Sequence, residues 1–196
     1  RTKRWTETSE SGVLEVKLSS WKYFTDFINQ RMLKYSSYVF RGQASARWKL
    51  EPTIDRLERK IKGQAIGCSP TEHLKRFKLA VRGRRGRNPA QLPTENDWWA
   101  LGQHHGLCTP LLDWTRSPYV AAYFAFIESS SDGTDDCAVW CLQHLNVESF
   151  GNKRRPFSQE GKQRESIEFF SPLSDENARL VSQGGLFSRG PAGIDL

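Results

Sequence analysis

Arg41, followed by Gly42 and Gln43, closes a burst of strand-forming residues, Tyr38-Val39-Phe40. An arginine at the end of a buried strand is costly unless something pairs with it. It therefore either meets a carboxylate such as Asp113 or offers its planar fork to an anionic ligand. The adjacent glycine allows a ligand or a second backbone to approach. A second polar set, His104, His105, Thr109, Asp113, Thr115, Arg116 and Ser117, crowds one short run ahead of an apolar helix. The start of that helix, with free N–H groups and a positive dipole end, can hold a phosphate. Alternatively, His104, His105 and Asp113 can serve as base and orienter for a nucleophile at Cys108, Thr115 or Ser117. The plain structural reading is that Asp113, Thr115 and Ser117 cap the helix and tie the loop.

Two further groups have alternatives of the same kind. Arg82, Arg84, Arg85 and Arg87, spaced by glycines in RGRRGR, can follow a phosphate backbone or simply form a solvated loop. Gln183, ahead of Leu186-Phe187, can point into a cleft or bond its own loop. Cys137, Cys141 and His144 match no zinc-ligand spacing, and no fourth ligand lies within reach in sequence, so no metal is expected.

The elements that must position these groups follow from the patterning. Trp98, Trp99 and Leu101 give a helix an apolar side, Pro93-Thr94 with Asp97 starts it, and Gly106 ends it. Ser117-Pro118 is an N-cap followed by a proline at the first helical position. The following residues to Ile127 are apolar all round, which predicts a buried central helix near 117–127 with a polar loop before it. That helix is too short to cross a bilayer. Val13 to Lys17 alternates as a strand, and Ser20 caps a helix with Trp21, Phe24, Ile28 and Met32 along one side. Ile54, Leu57 and Ile61 mark a third helix, and Leu74, Phe77 and Val81 a fourth. CAVWCL and Ser166 to Phe170 read as strands, the latter with Ile167 and Phe169 inward.

The whole chain of 196 residues reads as one domain with basic loops near 82–89 and 151–165, and its abrupt stop at Leu196 suggests a piece of a longer protein. Seven Trp and eleven Phe supply a core, and a net charge of +7 favours an anionic partner, whether a nucleotide, nucleic acid or an acidic protein surface. The N-terminus has no apolar leader, so the expectation is a cytoplasmic protein with reduced thiols and no membrane partner.

Phe40-Arg41-Gly42-Gln43, LEPTIDR, QHHGLCTPLLDWTRSPYVAAYFAF and NARLVSQGGLF together resemble the FRG domain, a bacterial and phage family named for its Phe-Arg-Gly signature. The chain departs from that pattern at His105, where an aromatic is usual, and at Cys108-Thr109-Pro110, where Pro-Thr-Arg is usual. The layout is similar, more distantly, to ADP-ribosyltransferases. That resemblance implies an α+β fold with a mixed or antiparallel split sheet flanked by helices, and NAD bound in its cleft. It implies a toxin or phage-defence effector transferring ADP-ribose to a macromolecule. On this reading Arg41, Thr115 and Gln183 (or, less well, Glu168) are catalytic, and Phe40, Arg41, Gly42, Gln43, His104, His105, Asp113, Thr115 and Ser117 contact the dinucleotide. The alternative is a nucleotide or nucleic-acid binding module without catalysis, carried by Arg82, Arg84, Arg85 and Arg87.

Overall fold

The computed structural model describes residues 4–10, 12–32, 35–61, 69–127, 136–143, 167–172 and 185–190. The fold is α+β, and both of its sheets are antiparallel. The chain divides into two compact units, Arg1–Tyr38 and Val39–Leu196. In the first, strands β1 (Trp5–Glu10) and β2 (Val13–Leu18) form a hairpin that turns at Gly12, whose φ of +83° suits glycine. Helix α1 (Trp21–Arg31) follows, with Trp5 edge-on to Phe27 at 5.6 Å and Arg31 bonded to Glu7 at 3.0 Å. The predicted strand and helix are both present. The partner strand β1 escaped detection because WTETSE is almost wholly polar and exposed.

The second unit is built on a five-stranded sheet. Its strands are β3 (Val39–Gln43), β4 (Leu111–Thr115), β5 (Ala138–Leu142), β6 (Glu168–Phe170) and β7 (Gly185–Arg189). They lie in the order β5-β3-β4-β7-β6. Alternation along β4 divides the core. Leu111 and Phe187 pack with Ile54, Leu74, Trp99 and Ala100 in one cluster. Leu112, Trp114 and Leu186 pack with Val39 and Leu50 in the other. The first cluster is closed by α2 (Thr53–Lys60), α3 (Pro70–Ala80) and α4 (Glu95–His104). Ser69 caps α3 through the Glu72 amide, and Thr94 with Asp97 makes a reciprocal capping box on α4. Gly106, at φ +82°, ends α4, and the Leu107 amide reaches back to the Gly102 carbonyl at 2.9 Å.

Two expectations need correction. The run before the central helix is not simply a polar loop, because LLDWT is strand β4 and pairs with β7 from Leu111↔Arg189 to Thr115↔Gly185. Its alternation spans only five residues, and flanking Thr, Pro and Arg make it look like loop. The central helix, α5 (Pro118–Ile127), is buried on one side only. Pro118, Ala121, Ala122 and Ala125 are its inner residues, while Tyr119, Tyr123, Phe126 and Ile127 are exposed. Side-chain size, not apolarity, decides which face turns inward.

Candidate functional site

Strand β3 pairs with β5 along its whole length but with β4 only at Phe40↔Thr115. Beyond that pair the two strands part, and Arg41 spans the gap. Its Nη1 donates to the Asp113 carbonyl at 2.9 Å and lies 3.5 Å from the Asp113 carboxylate. The guanidinium thus bridges two strands where the ladder between them stops. The remaining Asp113 oxygen accepts from Gln103 Nε2 at 2.7 Å, and Gln103 in turn accepts from the Thr109 hydroxyl. Thr109, fully buried, also exchanges bonds with Thr53: its amide donates to the Thr53 hydroxyl, which donates back to its carbonyl. A continuous polar chain therefore runs from β3 through β4 and the end of α4 to the start of α2.

The other two signature residues are equally occupied. Gly42 lies against α5, and a Cβ built on it would overlap the Ala121 carbonyl oxygen and sit 2.7 Å from the Ala125 amide nitrogen. Of the two partners foreseen for this glycine, a ligand or another backbone, the backbone is the one present. Gln43 is buried with both ends satisfied: its Nε2 donates to the Lys49 carbonyl and its Oε1 accepts from the Trp140 indole at 2.7 Å. Arg41→Met should therefore lower stability by about 1–3 kcal/mol through loss of the bridge across the gap. Urea denaturation measures this, and a change under about 0.5 kcal/mol, the size of a neutral surface substitution, would show that the guanidinium is not holding the strands.

Around this bridge the hydroxyls serve the backbone. Thr115 is buried, and its Oγ1 accepts from the Ser117 amide at 3.1 Å. Ser117 Oγ accepts from the Val120 amide at 3.3 Å, which is the cap foreseen for α5. Asp113 differs in keeping a solvent edge, with 54% of its side chain exposed, against 19% for Arg41. Desolvation by the surrounding protein pushes its carboxyl above the usual range, and Arg41 and Gln103 oppose this without cancelling it.

His104 and His105 do not join that chain. They lie exposed at the end of α4 with rings edge to face at 5.2 Å, and the α4 residue that meets Asp113 is Gln103. They line instead a cleft of about 570 Å³ with Val81, Arg84, Arg85 and Leu101. The fold thus joins two groups that lie some twenty residues apart in sequence. Arg82 and Arg87 are exposed and lie outside this lining. Arg85 is anchored, bonding the Ala90 carbonyl at 2.6 Å and lying over the Trp98 ring at 5.2 Å.

Gln183 and His144 fall outside the described residues. Glu168, the other candidate third position, accepts from Asn96 at 3.0 Å on the far side of β7 from β4. Among the described residues no group of His, Cys, Asp or Glu could hold a metal ion. Cys141 is an exposed free thiol on β5, and Cys108 and Cys137 are half-buried free thiols.

The bridging arginine, the helix-covered glycine and the clamped glutamine are consecutive residues of one strand. A family model, FRG domain, matches residues 36–134. The chain belongs to the FRG-domain family. That match spans β3 through α5, so it contains the bridge, the Gly42 contact and both walls of the cleft, while β5, β6 and β7 lie beyond it. No curated protein and no solved structure matches the chain. In this FRG domain the signature residues are accounted for by strand bridging and helix seating. Gln103, Thr109 and Thr53 complete the bridge, and sequence reasoning missed the roles of Gln103 and Thr53. A glutamine at a helix end and a threonine after a proline carry no periodic signal.

Proposed function

We propose that this FRG domain is a nucleotide-binding domain of the ADP-ribosyltransferase kind, taking NAD where β3 and β4 part and passing ADP-ribose to a macromolecule. The observation that supports this reading is the parting of the sheet after Phe40↔Thr115, with Arg41 and the half-exposed Asp113 on its two sides. NAD is both anionic and, at the breaking bond, cationic, so a guanidinium and a carboxylate side by side match its two demands. In the transfer, the bond between ribose C1′ and the nicotinamide nitrogen breaks with its electrons leaving on nicotinamide. The acceptor's nucleophile bonds to C1′ and gives up its proton. Asp113 supplies the negative charge that steadies the sugar cation, a role the neutral Gln183 cannot fill. Such a transfer suits a toxin or phage-defence effector acting in the cytoplasm. No helix among the described residues is long and apolar enough to cross a membrane.

Nicotinamide release from NAD is the test, with Asp113→Asn as the informative variant. Because its folded-state pKa is raised, this group's contribution to stability is greatest below the unfolded carboxylate pKa and falls as pH rises through the folded one, where it takes up the charge that the transfer uses. Asparagine has the same shape and the side chain is half exposed, so the variant should fold at neutral pH. Its release rate should fall about 10²-fold. NAD bound but left intact by the wild-type protein would make this a binding module, and neither binding nor release would end the reading.

A further inference from the structure

The cleft at the far ends of α3 and α4 belongs to no step above. Its floor is Val81 and the buried Leu101, and its rim is Arg84, Arg85, His104 and His105. Every lining residue is apolar or basic. Its volume of about 570 Å³ falls in the range of small-molecule sites.

Two properties argue that the cleft is built rather than incidental. First, its rim is held by three left-handed glycines. Gly83 (φ +74°) and Gly86 (φ +84°) bracket Arg84-Arg85, and Gly106 (φ +82°) follows His105. Each turns the chain where an L-residue would be strained. Arg85 is pinned further by the Ala90 carbonyl and the Trp98 ring. The RGRRGR run, open in sequence to a phosphate-tracking segment or a solvated loop, thus supplies a shaped wall through Arg84 and Arg85.

Second, the charge exceeds what the helices need. Two helix C-termini meet here, since α3 is capped by Val81 and α4 by His105. Each carries about half a negative charge. Arg84 and Arg85 alone outweigh that sum, and the two imidazoles add donors. A phosphate needs the basic rim but has no use for the apolar floor, whereas an aromatic base needs the floor.

We propose that this cleft binds a nucleotide, with the base on Val81 and Leu101 and the phosphates on Arg84, His104 and His105. This site is independent of the NAD reading, because none of its lining residues is Arg41, Asp113 or Thr115.

Calorimetric titration of the full chain with ADP, adenosine and inorganic pyrophosphate tests it, using wild type, Arg84→Gln and His104→Gln. ADP should bind more tightly than either fragment, and each substitution should weaken ADP about tenfold, as expected for one charge-assisted contact. Both positions are exposed, so circular dichroism should show both variants folded. A 5′-phosphorylated single-stranded oligonucleotide that displaces ADP would identify the nucleotide as a strand end, and one that does not would identify it as free; either supports the site. Asp113→Asn should leave ADP affinity unchanged while nicotinamide release falls, which separates the two sites. Absence of ADP binding, equal affinity in all three proteins, or pyrophosphate binding as tightly as ADP would overturn the assignment.

Discussion

Gly42→Ala is expected to cost about 3 kcal/mol or more, the upper end for overpacking a core. The reason is not backbone strain. A Cβ at position 42 would fall inside the Ala121 carbonyl oxygen and 2.7 Å from the Ala125 amide nitrogen. Those atoms belong to the backbone of α5, so no rotamer change relieves the overlap, and the helix itself must shift off β3. The matching control is Gly83→Ala, where a Cβ meets nothing within 4 Å but φ is +74°. There the cost should be only the conformational penalty of about 1–2 kcal/mol. Thermal or urea denaturation of both variants distinguishes the two origins. Gly42→Ala no more costly than Gly83→Ala would mean that α5 is not seated on the signature strand.

Trp99→Ala is expected to cost about 3–5 kcal/mol, the range for truncating a buried aromatic. Trp99 is 1% exposed and is the largest wholly buried side chain among the described residues. It lies at the centre of the cluster formed by Ile54, Leu74, Leu111 and Phe187. Its indole also donates to Glu95 at 3.2 Å, and Arg189 bonds the same carboxylate oxygen at 2.8 Å. Burial alone would raise the Glu95 carboxyl, but the bonds from Arg189 and Trp99 outweigh it and hold that carboxyl below its usual range. The substitution therefore loses packing together with one hydrogen-bond donor to the carboxylate that Arg189 pairs with. Because Gln103, His104 and His105 follow on the same helix or at its end, loss of Trp99 should also loosen the Asp113 bond and the cleft wall. A variant with ADP affinity intact and stability changed by less than about 1 kcal/mol, well below that range, would contradict this placement of α4.

Local signals are legible in the sequence where they depend on near neighbours. Thr94 with Asp97, Ser117 with Pro118, and Gly106 act within one turn of chain, so their meaning survives without knowledge of the fold. The Arg41–Asp113 pairing was one of the stated alternatives because a strand-end arginine demands a partner whatever the topology. Strands β1, β4 and β7 were harder to read. WTETSE is polar, LLDWT lies beside turn residues, and GLFSR is short and begins at a glycine. Each is a strand because its neighbours accept its hydrogen bonds, and that is information no five-residue window holds.

By itself the amino-acid sequence determined the helix ends, the need for an anionic partner at Arg41, the basic character of the chain and its family likeness. Only the tertiary structure decided that β3 and β4 part after one pair, that α5 fills the space above Gly42, and that Arg84 and His104 share a cleft. The physical reason is range: caps and turns are satisfied within a few residues of chain. The bridge, the seat and the cleft each join segments tens of residues apart, and their partners exist only after the sheet has closed.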